Sequence, residues 1–319
     1  MVSGRPSRTW DEVVTQGRYP AAMATFDPAD LTQVRAAAEA GKLALGPGPD
    51  LPVVLETELS EFDLHPGAPI VRVRLLSTTH EPDGLLIYVH GGGWVMYSID
   101  HYDRLARHLA AETGWAVAMI DYPLAPEHQF PEPFECTREA VAWLLGDDGE
   151  AWLVNAIPPP TRRVLAGDSA GGNIASACAL HGREWDVELD AQLLVYPVLD
   201  HDLDRPSYFH ALFPADIERD EMRVCWDLYC PDKALRDTPE ASPLRAPSLA
   251  GLPPTMLVTA EGDVLNSEIE AYADRLRRAG VTLTTEHFAG IGHGCLNLWG
   301  HSAEVDRVIG EIAAWLKDV

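Results

Sequence analysis

Ser169 stands in Gly167-Asp168-Ser169-Ala170-Gly171-Gly172, directly after the apolar run RVLA and at the opening of the helix-forming stretch GGNIASACAL. A strand that turns at once into a helix leaves room only for glycine on either side of the serine. The serine backbone is then strained, and its hydroxyl stands clear of the sheet. The helix that follows begins with partial positive charge, where an oxyanion can form. These features suit a hydroxyl nucleophile in acyl transfer.

His90-Gly91-Gly92-Gly93-Trp94 ends the apolar run LLIYVH. Three glycines let a backbone approach a substrate closely and leave amide hydrogens unpaired. Donors from Gly92 and Gly93, with Ala170 as a third, are expected to converge on a carbonyl oxygen. A phosphate-binding loop is the competing reading, but neither GxGxxG nor GxxxxGK[ST] occurs nearby. Trp94 and Tyr97 are placed on the substrate pocket, against the plainer reading that they are core aromatics.

A serine hydroxyl is a weak nucleophile at neutral pH and needs a base, and the base needs an orienting acid. Where a serine occupies such a strand-to-helix turn, the chain order is Ser, then Asp or Glu, then His. Among the 12 histidines, His293 follows the nucleophile, ends a strand and is flanked by glycines. His287 lies inside a strand, His301 approaches the last helix, and His90 is expected to be structural. Asp263 closes the run PTMLVTAEGD and is the acid. Glu261 is expected to point to the opposite side of an extended chain. Glu268, on the first turn of the next helix, is expected to cap that helix or brace the loop.

These groups must be carried by a regular frame. From Leu85 onward, short apolar runs (LLIYVH, WAVAMIDY, RVLAGDS, AQLLVYPV, PTMLVTAEGD, TLTTEHFAG) alternate with amphipathic helical stretches. Nearly unbroken apolar strands separated by helices predict a parallel sheet covered on both faces. Upstream, VVLETELSEF and PIVRVRLLS read as an antiparallel hairpin. Residues 201–250 break the alternation with a helix-like ERDEMRVCWDLYC between Pro-rich loops. An insertion there sits above the carboxyl edge of the sheet, where open α/β sheets bind ligands. The chain thus divides into 1–50, the N-terminal part of a cap; 51–200, core; 201–245, the cap insertion; and 246–319, core.

Composition narrows the function classes. The chain has 319 residues and a formal net charge of −25, which repels phosphate backbones and anionic lipid. No nucleic-acid or membrane partner is expected. Five irregularly spaced cysteines without a CxxC pair give no zinc or redox signal, so reduced buried thiols and a cytoplasmic location are the default. The N-terminus lacks an apolar signal region. No cofactor or metal is expected. The partner is a small-molecule substrate, and a homodimer through the last strand and helix is open.

With these residues in place the chain resembles the bacterial hormone-sensitive-lipase-like esterases over residues 70–310. The resemblance rests on HGGGW at 90–94, DYPLAPEHQFP at 121–131, GDSAGGN at 167–173, YPVLD at 196–200, SPLRA at 242–246, AEGDVL at 260–265 and GHG at 292–294. It implies an α/β-hydrolase fold, with an eight-stranded, mostly parallel sheet and a helical cap. It also implies cofactor-free hydrolysis of short- to medium-chain acyl esters. The family's nucleophile, acid and base fall on Ser169, Asp263 and His293, its oxyanion glycines on Gly92 and Gly93, and its third donor on Ala170. Glu127 and His128 resemble the family's structural brace beside the active-site loop. Gly262, Ser267 and Cys295 depart from the aromatic residue, the aspartate and the phenylalanine that the family often has, which bears on substrate preference. The same triad could instead cleave an amide or pass its acyl group to another acceptor. A non-catalytic binding protein is the remote alternative. The plant gibberellin receptors resemble the same family but lack the catalytic histidine.

Overall fold

The eight strands form one sheet in the order β1-β2-β4-β3-β5-β6-β7-β8. The computed structural model describes residues 31–182, 189–209 and 217–319. Residues 1–30 of the expected cap and 210–216 of its insertion lie outside them. β1 (Val53–Leu59) and β2 (Val71–Ser77) pair antiparallel, with Val53 opposite Ser77. This is the hairpin read from their alternating runs. β3 (Leu85–Val89) lies between β4 (Ala116–Asp121) and β5 (Arg163–Asp168), parallel to both. β6 (Ala191–Val195), β7 (Thr255–Ala260) and β8 (Leu283–Phe288) continue the parallel run, while β2 meets β4 antiparallel.

Burial follows from sequence. Every position of β3 and β6 is buried, because their runs LLIYV and AQLLV are covered on both faces. The edge strands β1 and β8 alternate between covered and solvent-facing positions, and β1 carries Glu56 and Glu58 outward, which blunts that open edge. Each fully buried aliphatic side chain in this core contributes roughly 1.5–3 kcal/mol.

The helices are α1 (Leu31–Leu43), α2 (Ile99–Thr113), α3 (Glu132–Leu145), α4 (Asp147–Leu153), α5 (Ser169–Leu180), α6 (Arg219–Tyr229), α7 (Asn266–Arg278) and α8 (Ala303–Asp318). α2 packs on β4, β2 and α8, whereas α5 packs on β3, β5, β6 and α3. Ser98 caps α2 through the Asp100 amide, and Gly114 ends it with a φ of 75°. α4 was not expected. Its first turn holds Asp147, Asp148 and Glu150, which favour a helix N-terminus.

Two helices from the expected cap segments meet the loop after β3. From α1, Arg35 Nε donates to the Val95 carbonyl at 2.7 Å, and its guanidinium holds Glu127 at 2.8 Å. From α6, Tyr229 stacks on Trp94 with ring centres 4.4 Å apart. His128 Nδ1 lies 2.9 Å from Glu132, so the expected brace holds α1 on one side and the start of α3 on the other.

Candidate active site

Three loops at the carboxyl ends of β5, β7 and β8 bring Ser169, Asp263 and His293 together. His293 Nε2 lies 2.8 Å from Ser169 Oγ, and its Nδ1 lies 2.7 Å from Asp263 Oδ2. All three are buried, at 6%, 3% and 6% exposure for Ser169, Asp263 and His293. An ionised aspartate can only accept, so Nδ1 carries the hydrogen and Nε2 is free to accept from the hydroxyl. The second Asp263 oxygen accepts the Leu265 amide at 2.9 Å, which fixes the carboxylate. Such a relay can take up the serine proton as the oxygen attacks an electrophile.

The local sequence enforces this geometry. Ser169 has a φ of 53°, in the left-handed region that only an over-determined turn maintains. A Cβ on Gly167 would lie 2.5 Å from the Gly171 carbonyl oxygen, and one on Gly171 would lie 2.1 Å from that of Val89. Both glycines are therefore steric requirements of the turn.

The glycine loop is built the same way. Gly92 has a φ of 123°, and a Cβ there would sit 2.4 Å from the Met96 carbonyl oxygen. The amide hydrogens of Gly92 and Gly93 find no acceptor among the described residues. Ala170 is the second residue of α5, where amide hydrogens have no intrahelical partner. The loop is held from below by Asp168, whose carboxylate accepts from the Gly91 amide and from the Tyr88 and Tyr102 hydroxyls, each at 2.9 Å. His90 stacks on Tyr122 at 4.4 Å and places Nδ1 2.8 Å from the Gly91 carbonyl, the structural role expected of it. Burial pushes its pKa down and favours the neutral ring.

The other expected residues fall in different settings. Trp94 is fully buried between Tyr229 and Trp226, which joins the glycine loop to α6. Tyr97 stands beside Gly92, with a φ of 75° and its ring 4.1 Å from Lys42 Nζ. Glu261 accepts the Gly290 amide at 2.6 Å and does not reach His293. The expected reason needs correction. Residues two apart share a face of a strand, but β7 ends at Ala260, so the turn separates Glu261 from Asp263. Glu268 braces the loop after β6, where its Oε1 accepts the Leu199 amide at 2.7 Å. Burial pushes its carboxyl well above the ordinary value.

Sequence reasoning missed three neighbours of the site. Lys42 is 6% exposed, with Nζ 3.0 Å from Asn297 Oδ1 and 3.1 Å above the Tyr102 ring. Desolvation pushes its ammonium pKa down, while the Asp168 charge opposes this. Its spacing after the buried Leu31 and Ala38 puts it on the inner face of α1. Tyr196 lies with its ring 4.7 Å from that of His293 and accepts the Leu296 amide. Glu221 is the third, on the inner face of α6. No cluster of three or more metal-ligating side chains occurs among the described residues. No described helix is long and apolar enough to cross a membrane.

Fold and site define a class. Residues 86–297 match the alpha/beta hydrolase fold family, and the chain belongs to that family. Carboxylesterase NlhH of Mycobacterium tuberculosis is 33% identical over 223 residues, 67% of this chain and 66% of that protein. The chain thus spans about two thirds of that relative's length. An arylacetamide deacetylase of Oryctolagus cuniculus is 30% identical over 296 residues, covering 73% of each chain. The esterase of Pyrobaculum calidifontis superposes with a TM-score of 0.81 at 30% identity, covering 93% of this chain and 95% of that one.

Proposed function

We propose that this chain is a serine hydrolase that cleaves short- to medium-chain carboxylic esters, with Ser169 as nucleophile, His293 as general base and acid, and Asp263 as the orienting acid. The observation that carries this reading is the unbroken bond series from the Ser169 hydroxyl through the imidazole to Asp263. As Ser169 Oγ attacks the ester carbonyl, its proton passes to His293 Nε2. The tetrahedral oxyanion is stabilised by the amide hydrogens of Gly92, Gly93 and Ala170; each such donor is worth about 3 kcal/mol of barrier lowering. The alcohol departs with the proton from Nε2 and leaves an acyl-serine. Water then attacks the acyl group and gives a proton to Nε2; as the second tetrahedral intermediate collapses, Nε2 returns that proton to Ser169 Oγ and the acid is released.

The relatives support ester substrates: one is named a carboxylesterase and a structural neighbour is named an esterase. A second reading, amide hydrolysis, is favoured by the relative named arylacetamide deacetylase. In both, α1 and the 201–245 segment act as the cap, since Arg35 and α6 close on the glycine loop. Five buried cysteines suit a reducing cytoplasm. The open edge of β8 is the surface a homodimer would use.

An acyl-chain series of p-nitrophenyl esters, run beside the matched anilides, tests the reading. Turnover of acetate to hexanoate esters, absent in Ser169→Ala, is expected. Undiminished turnover by Ser169→Ala would overturn it, and faster turnover of anilides than of esters would favour the amide reading.

A further inference from the structure

Glu221 lies on α6, on the face that meets the glycine loop. Its neighbour one turn along, Cys225, places Sγ where it would be 2.7 Å from a Cβ on Gly93. Residues four apart share a helix face, so the Glu221 side chain lies one turn away on the same face of α6. It is only 5% exposed. Its two oxygens differ. Oε2 accepts the Glu218 amide at 2.7 Å in a capping box, which fixes the side chain. Oε1 is buried and meets no donor among the described residues.

A capping glutamate serves equally well facing water, so capping does not account for its burial. An ionisable oxygen that is buried without a partner is costly unless a ligand supplies one. The charge of His293 is among those that act on this carboxyl, which sets it near the hydrolytic centre. Burial outweighs that pull and raises the Glu221 pKa to about 7.

We propose that Glu221 is a specificity residue whose free oxygen accepts a hydrogen bond from a hydroxyl or ammonium group carried by the ester substrate. This rests on the hydrolase reading above. The cap thereby selects esters that bear a donor a few atoms from the scissile carbonyl over plain alkyl esters of the same shape. A plain ester leaves Oε1 unpaired as it enters, whereas a donor-bearing one pairs it. Sites built to hydrogen-bond a substrate group discriminate sharply against analogues that lack it.

The test compares kcat/KM for isosteric ester pairs. Ethyl alkanoates with hydrogen, hydroxyl or ammonium on the second, third or fourth acyl carbon probe the acid side. Alkyl acetates substituted in the same way probe the alcohol side. At about pH 8, where the carboxyl is ionised, the wild type is expected to prefer at least one donor-bearing ester by roughly tenfold or more, the scale of a hydrogen bond to a charged acceptor. Glu221→Leu is expected to bring that ratio to about one. Glu221→Gln, which keeps an acceptor but no charge, is expected to retain the hydroxyl preference and lose the ammonium preference. Each ratio is internal to one variant, so a change in overall activity cancels. No preference at any position in the wild type, or an unchanged preference in Glu221→Leu, overturns the proposal. Binding of the same pairs to Ser169→Ala, measured by calorimetry, separates the two readings. Donor preference in binding without hydrolysis by the wild type overturns the hydrolase reading alone. Hydrolysis without donor preference overturns only the role of Glu221.

Discussion

The carboxylate of Asp168 accepts the amide hydrogen of Gly91 at 2.9 Å, and this bond ties the strand that delivers Ser169 to the loop that carries Gly92 and Gly93. Ser169 and the glycine loop come from different strands, β5 and β3, paired in register with Val89 opposite Gly167. Strand pairing fixes their backbones to about one peptide unit. The Asp168 bond, with those from Tyr88 and Tyr102, fixes what lies beyond the last ladder bond.

Asp168→Ala leaves the buried Tyr88 and Tyr102 hydroxyls without their acceptor, while the Gly91 amide keeps only the Tyr102 oxygen, at 3.1 Å. Loss of these bonds is expected to cost about 3 kcal/mol or more of stability. The loop is also released from the elbow, so kcat for p-nitrophenyl butyrate is expected to fall about a hundredfold. Denaturant unfolding and steady-state kinetics check both. Wild-type kcat in a destabilised variant would mean that the loop is positioned by other contacts.

The relay from Ser169 to Asp263 makes a sharper demand. Asp263→Asn keeps the shape of the side chain but can present an N–H to Nδ1, which favours the wrong imidazole tautomer. A fall of about 10⁴ in kcat is expected, with little change in melting temperature. Labelling of Ser169 by a fluorophosphonate is expected to slow in parallel. Rapid labelling of Asp263→Asn would mean that another group orients His293.

Much of this arrangement was legible in the sequence. The six runs after Leu85 became β3 to β8; burial on both faces leaves β3 to β7 little choice but continuous apolar strands, whereas the edge strand β8 alternates. Gly167 and Gly171 announced the elbow through what their Cβ atoms would strike. What stayed hidden depends on tertiary placement. Lys42 and Glu221 are charged residues on the buried stripes of α1 and α6, and ordinary patterning assigns such residues to the solvent face. Trp94 lies in HGGGW, yet its partner Tyr229 comes from a distant insertion whose docking no local pattern specifies.

Gly92 offers a test of the glycine loop that leaves the relay untouched. Alanine there combines a φ of 123° with a Cβ 2.4 Å from the Met96 carbonyl oxygen, so the backbone must move. Since the amide to be aimed is on the same residue, kcat is expected to drop about 10² to 10³-fold. Gly280→Ala is the control. It also has a positive φ, of 76°, but nothing lies within 4 Å of its Cβ. It is expected to cost about 1–2 kcal/mol of stability with kcat unchanged. Equal kinetic losses in the two variants would show general unfolding rather than a displaced donor.

Glu221 also ties stability to pH, and the sign can be worked out. Burial raises its folded-state pKa from the ordinary 4.5 to about 7, with the Glu218 charge helping to retain the proton and the His293 charge opposing it. Below 4.5 both folded and unfolded chains hold the proton, and the group contributes nothing to pH dependence. Between that value and about 7 the unfolded chain releases the proton while the folded chain keeps it. The folded state therefore loses stability as pH rises through this window, and the loss is complete above it. Glu221→Gln removes the titration without changing the shape of the side chain. Its melting temperature, relative to wild type, is expected to rise between pH 5 and pH 8 by on the order of a few degrees. Glu268, whose carboxyl is raised by burial in the same way, remains in both proteins and cancels in the comparison. Differential scanning calorimetry of the pair across this range reads the difference directly. A constant offset between pH 5 and pH 8 would mean that Glu221 is ionised throughout and already paired in the free protein.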